Sequence, residues 1–233
     1  MMFPRRSADR GQFEISWLKS KHSFSFGEYF DQRHMGYGPL RVINEDIIRP
    51  GAGFGRHGHK DMEILTYVLK GGVSHQDSLG MGSTIRPGDV QIMSAGTGIE
   101  HSEFNASDQD ESHLLQIWMI PEVKGLAPRY QQTRFDDAEK RDRLRLIGAR
   151  DGREGAVTIF QDIDLYASLL TKGKSVTHEP KPGRRLWLQV AQGNVAVNGI
   201  VLEQGDGIAI EDEPKIEIIA RSDAEVLLFD MRG

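Results

Sequence analysis

The chain of 233 residues contains no cysteine. That removes disulfides, thiolate metal sites and cysteine nucleophiles, leaves nitrogen and oxygen as the available metal donors, and agrees with a reducing, cytoplasmic compartment. Long apolar runs are missing as well. No segment approaches the roughly 20 apolar residues of a membrane-crossing helix, and Arg5-Arg6 near the start is not followed by an apolar stretch of signal-peptide type. No membrane partner is expected. An excess of positive charge is also lacking, since 29 Lys and Arg stand against 34 Asp and Glu, a net charge of −5. Binding nucleic acid through its phosphates needs a basic face, so nucleic acid is not an expected direct partner. The one basic tract, from Lys172 to Arg185, reads as a solvated surface loop.

What is abundant is glycine, 26 residues, set between short apolar stretches such as Leu40–Asn44, Glu63–Leu69, Leu114–Ile120 and Glu225–Asp230. Their length, β-branched or aromatic content and bounding turn residues predict strands, and hence an all-β sandwich or barrel. An internal echo adds organisation. Gly72-Val-Ser-His-Gln-Asp-Ser with Ile85-Arg-Pro-Gly-Asp-Val-Gln-Ile-Met resembles Gly193-Asn-Val-Ala-Val-Asn-Gly with Leu202-Glu-Gln-Gly-Asp-Gly-Ile-Ala-Ile, two copies of a strand, a turn, a Gly-Asp turn and another strand. Two tandem β units follow. The charged stretch from Phe135 to Gly155 is the natural connection, which places the domains at 1–140 and 141–233. Within it Asp136 to Leu146 suits either a short helix or a charged loop.

Seven of the eight histidines precede residue 114, and only His178 lies in the second unit. His57 and His59 stand two apart in a glycine-rich stretch, and His101-Ser102-Glu103 begins 42 residues after His59. Residues two apart on a strand share a face, so each motif delivers two donors from one strand. Three imidazoles and a carboxylate suit a divalent transition ion and leave positions open on a metal that takes about five or six ligands.

These motifs carry a resemblance. Gly51-x5-His57-x-His59-x3-Glu63 and Gly98-x2-His101-x3-Asn105 are similar to the two cupin motifs. The phrases His22-Ser-Phe-Ser-Phe-Gly, Leu40-Arg-Val-Ile-Asn-Glu-Asp, His57-Gly-His-Lys-Asp-Met-Glu-Ile-Leu-Thr-Tyr-Val-Leu and Val90-Gln-Ile-Met-Ser-Ala-Gly-Thr-Gly-Ile-Glu-His-Ser-Glu-Phe-Asn resemble the pirins, densely over residues 10–130. The resemblance implies two tandem jelly-roll-like barrels, a bicupin, with metal in the N-terminal one only. It implies His57, His59, His101 and Glu103 as ligands of one ion, Fe(II) foremost, with Cu, Ni, Mn, Zn or Co as alternatives. Glu63 occupies the usual cupin carboxylate position and is read as a candidate either for orienting an imidazole or for a structural salt bridge with Arg or Lys. The implied activity of bacterial members is quercetin 2,3-dioxygenation, with a flavonol and O2 as substrates, carbon monoxide released and Glu103 as both ligand and base. The alternative is a metal-binding regulatory protein acting through a protein partner. A monomer is implied on the same grounds.

The remaining candidates read more plainly. His75 and His113 are expected to be ordinary hydrogen-bonded or exposed histidines. His22, His34 and the aromatics between Phe24 and Phe30 are expected to seal a barrel, while Phe24, Phe26 and Trp118 are the candidates for stacking on a planar substrate. Gly96 and Gly98 answer to turn geometry, not to phosphate binding.

Overall fold

Alternation sets the walls of the molecule. In Ile99–Asn105 every second residue is buried, Ile99, His101, Glu103 and Asn105, the period of a strand with one face in a core. Glu63–Lys70, by contrast, is buried from Glu63 through Leu69, as in a sheet covered on both faces. The computed structural model describes residues 1–233. It is all-β, and the chain forms two compact units: Gly11–Arg134 with Val157–Gln161, and Met1–Arg10 with Phe135–Ala156 and Asp162–Gly233. The contiguous division at residue 140 differs from this at residues 135–140 and in two further segments. Residues 1–10 count with the second unit because Met2–Arg5 pairs with Gly207–Glu211, and residues 157–161 count with the first.

In the first unit a large sheet runs in the order Arg129–Arg134, Asp89–Ser94, Glu63–Lys70, Ser112–Met119, Leu40–Ile48, Leu18–His22, Gly11–Glu14. A smaller sheet has the order Gly53–His59, Ile99–Asn105, Val73–Asp77, Gly82–Ile85. The second unit repeats the plan. Its large sheet runs Met2–Arg5, Gly207–Glu211, Arg184–Gln192, Ala224–Arg232, Ile163–Leu170, Arg145–Ala149, and its small sheet Ser175–His178, Ile216–Ala220, Val195–Val197, Ile200–Leu202. The echo read in the sequence thus corresponds to equivalent strands. The stretch after Phe135 resolves into one helical turn, Asp137–Lys140, closed by a reciprocal cap between Asp136 and Glu139.

The two interiors differ in chemistry. Across the large sheet of the first unit, register aligns His22 with Asn44, Asn44 with Gln116, Gln116 with Thr66, Thr66 with Gln91, and Gln91 with Gln132. This polar belt lies between an apolar layer of Leu18, Ile48, Val68, Val73, Ile85 and Leu114 and another of Ile64, Met93, Ala95 and Ile99. The second unit is filled with aliphatic side chains, among them Leu186, Leu188, Ile208, Ile216, Ile218 and Leu228, each worth about 1.5–3 kcal/mol of burial.

Deleting residues 1–10 removes the ladder on Gly207–Glu211 and the Arg6 bond to Asp206 (2.8 Å). The thermal midpoint is expected to fall by about 5 °C or more, since about 1 kcal/mol moves a chain of this size by about 2–4 °C; an unchanged midpoint in a melting scan would refute the structural role of this strand.

Candidate metal centre

The imidazoles come from two neighbouring strands. Ile99 pairs with His59 and His101 with His57, and then the register slips so that Glu103 faces Phe54. The extra residue is a β-bulge in the glycine-rich strand, and it turns Phe54 toward the same cavity as His57 and His59. Gly53 makes the approach of the strands possible, because a Cβ there would sit 2.3 Å from the Glu103 carbonyl oxygen and 2.4 Å from the Phe104 Cα. The rings of His57, His59 and His101 lie 4.5–4.9 Å apart, and their ligand atoms fall within 4.8 Å of one another.

Hydrogen bonding fixes which nitrogen of two rings is free. His57 Nδ1 lies 2.8 Å from the Gly55 carbonyl oxygen, and a carbonyl only accepts, so Nδ1 carries the proton and Nε2 keeps its lone pair. His101 is set by a longer chain. Asp77 Oδ1 accepts the backbone N–H groups of Leu79 (2.9 Å) and Met81 (3.1 Å), and Asp77 Oδ2 faces His75 Nε2 at 3.2 Å. His75 therefore donates from Nε2 and accepts at Nδ1, where His101 Nδ1 approaches to 3.4 Å. His101 is thus the donor at Nδ1 and has its Nε2 lone pair open. That nitrogen points at His59 Nε2, 2.9 Å away. Burial, reinforced by the neighbouring imidazoles, pushes His59 down to about 4 and His101 down to about 3, so both rings are neutral near pH 7. Two neutral imidazole nitrogens at this separation share either a proton or a cation, and the donor set fits a divalent metal ion.

Glu103 is buried on the same strand as His101, and its carboxylate groups with His101 and His75 within 4.8 Å. Gln116 Nε2 donates to its Oε2 at 2.7 Å, and the Thr66 hydroxyl lies 3.1 Å from its Oε1. The polar belt thus holds the carboxylate from the opposite sheet. Beside the imidazoles is a cavity of about 370 Å³ with Trp17, Phe26, Phe54 and Trp118 among its walls, within the range of about 300–1,000 Å³ typical of small-molecule sites.

The N-terminal part, residues 4–119, matches the family model Pirin, and residues 146–231 match the quercetinase C-terminal cupin domain. The chain belongs to the pirin family. It is 49% identical over 99% of both chains to a protein of Escherichia coli strain K12 named quercetin 2,3-dioxygenase. The crystal structure of YhhW from Escherichia coli superposes with a TM-score of 0.95 at 49% identity, covering 99% of this chain and 97% of that one. A second structure, bacterial pirin YhhW in complex with nickel(II), gives a TM-score of 0.95 at 48% identity over 100% of this chain and 99% of the other. The fold of this pirin is accordingly the two-barrel bicupin.

Two expectations need correction. Glu63 does not orient an imidazole: alternation places it on the face of its strand opposite Thr66, where its Oε2 accepts from Ser94 Oγ (3.0 Å) and the Phe160 N–H (3.2 Å), and burial raises its pKa. His75 is not an incidental histidine, since it links Asp77 to His101. His113 is tied to Glu45 at 2.9 Å. Among the aromatics, Phe24 is core at 2% exposure, whereas Phe26 packs edge-on against Trp118 and lines the cavity.

Replacing His75 by Phe keeps the ring volume against Tyr130 but removes the acceptor for His101 Nδ1. Divalent metal affinity, measured by competition with a chelator, is expected to fall about 10–100-fold, while His113→Phe is expected to keep it; equal affinities would refute the chain from Asp77. The depressed imidazoles also set a pH response. Between the ordinary histidine range and about pH 3–4 the unfolded chain binds protons at His59 and His101 that the folded one does not, so metal-free protein loses stability from this source as pH falls from 7 to 4. The drop in melting temperature over that interval is expected to be smaller in His101→Ala.

Proposed function

We propose that this chain is a metal-dependent dioxygenase that opens quercetin or a related flavonol with O2 and releases carbon monoxide. Its protein ligands would be His57, His59, His101 and Glu103, around one divalent transition ion, Fe(II) in the first instance. The observation that carries the reading is the convergence of neutral imidazole nitrogens beside an aromatic-walled cavity. The name of the Escherichia coli relative supports the reaction, and the nickel(II) complex of YhhW supports a bound divalent metal ion. Such a donor set accepts several divalent ions in the ordinary affinity order.

A bound divalent ion supplies Lewis acidity and open coordination positions for an oxygen of the substrate and for O2. The protein supplies the rest. Trp118 and Phe26 form flat apolar walls for a planar ring system, and Trp118 stands edge-on to His59 at 4.9 Å, which excludes water from that side. Glu103 is the one carboxylate beside both the imidazoles and the cavity, so its Oε1 or Oε2 takes the proton of the flavonol 3-hydroxyl. Gln116 and Thr66 keep it aimed inward, an arrangement that favours proton transfer in a fixed direction.

Protein reconstituted separately with Fe(II), Cu(II), Ni(II) and Mn(II) is expected to consume quercetin, read as loss of flavonol absorbance with release of carbon monoxide. No turnover with any of the four would sink the proposal. His101→Ala is expected to abolish metal binding while His178→Ala keeps it, because His178 Nε2 is engaged with Asp230 Oδ2 at 2.7 Å; metal retained by His101→Ala would overturn the ligand set.

A further inference from the structure

The cavity beside the imidazoles does not end at Phe26 and Phe54. A second chamber of about 560 Å³ adjoins it, sharing Phe26, Asn44, Asp46 and Phe54 as walls and extending to Ser20, His22 and Tyr29. Asn44 and Asp46 are alternate residues of Leu40–Ile48, so both point from one strand to the same side. Each is 4% exposed. Asn44 Oδ1 is buried without any hydrogen-bond partner, although its register neighbour Gln116 donates to Glu103. An unsatisfied buried polar group is unfavourable, and this amide oxygen stands on a residue that walls both chambers. Asp46 accepts from Ser20 Oγ. Burial pushes its carboxyl up to about 7, so near neutrality a substantial fraction carries a proton to offer.

We propose that the two chambers form one substrate site in which Asn44 and Asp46 determine specificity, selecting polyphenols whose second ring bears hydroxyl groups. This rests on the flavonol reading and extends it. The ring carrying the reactive hydroxyl lies in the chamber lined by His57, His59 and Glu103, and the second ring passes between Phe26 and Phe54 to the belt. A phenolic O–H can both donate to and accept from an amide, so one hydroxyl satisfies whichever face of the Asn44 amide meets it. The Asp46 carboxyl takes or gives the second bond. A site built in this way discriminates against an analogue that lacks the hydroxyl, because the buried groups then remain unpaired.

The test is equilibrium binding with dioxygen excluded, so that no turnover occurs, on the nickel(II)-loaded full chain, followed by quenching of tryptophan fluorescence. Quercetin, with hydroxyls on the second ring, is compared with 3,5,7-trihydroxyflavone, which differs from it only in lacking them. The wild-type protein is expected to prefer quercetin by about tenfold or more, and Asn44→Leu, close in volume, to reduce the preference to within about twofold. Asn44→Ala serves as a second variant, and melting curves confirm folding. Since the replaced amide is unsatisfied, Asn44→Leu is expected to melt no lower than the wild type. A tenfold preference surviving in both variants would overturn the assignment of Asn44 while leaving the flavonol reading intact. Failure of wild-type protein to bind either compound would overturn both.

Discussion

A carboxylate and several imidazoles inside a β-barrel are tolerable only if every one of them is met by a partner, and this constraint organises the first unit. Burying polar groups without hydrogen bonds is unfavourable by several kcal/mol in an apolar setting. The chain answers with a row of polar side chains in register across one sheet, His22, Asn44, Gln116, Thr66, Gln91 and Gln132. Two of these meet Glu103 directly. On the opposite sheet, the Gly55 carbonyl holds the His57 proton on Nδ1, and Asp77, acting through His75, holds that of His101 on Nδ1. The open lone pairs are thus a consequence of groups that do not themselves lie at the centre.

The second unit shows what the same topology becomes without that demand. Counting along equivalent ladders from Val73 with Ile85 and Val195 with Leu202, His178 stands where the first unit has His57, Ile216 where it has His101, Ile218 where it has Glu103, and Val197 where it has His75. Three of these four are buried aliphatic residues in one cluster. A polar belt would have no carboxylate to serve there, and Leu188 and Leu228 line that interior instead. Fold and chemistry are separable in this molecule: strand order is common to both units, and the inward residue at a handful of register positions decides whether the interior is dry.

Much of this was legible in the chain because strand periodicity is simple. His57 with His59, and His101 with Glu103, announce shared faces by their spacing, and the structure brings the three histidines together. His75 and Asp77 carry the same spacing but lie outside the motif phrases, and their link to His101 is made by the assembled sheet. Glu63 misled for a complementary reason: its position in the motif suggested the interior, while the parity of its strand sends it to the other face. The bulge that aims Phe54 inward left only a faint trace, a run of glycines compatible with any turn. Asn44 and Asp46 were visible merely as polar residues in an apolar strand, and their junction between two chambers is a property of the assembled sheets. Pairing between Met2–Arg5 and Gly207–Glu211 has no local signature, since contact across most of the chain leaves none in a sequence window.

That N-terminal strand has a kinetic side. Met2–Arg5 pairs with Gly207–Glu211, and Arg6 bonds Asp206, so these residues find their partners only after some 200 more have been made. Synthesis runs at about 5–20 residues per second, which leaves Gly11–Arg134 time to close its own sheets while the leading segment waits unpaired. Loop closure over such a separation is entropically slow. Completion of the second barrel is therefore placed late in folding, after the barrel that holds the imidazoles has already formed.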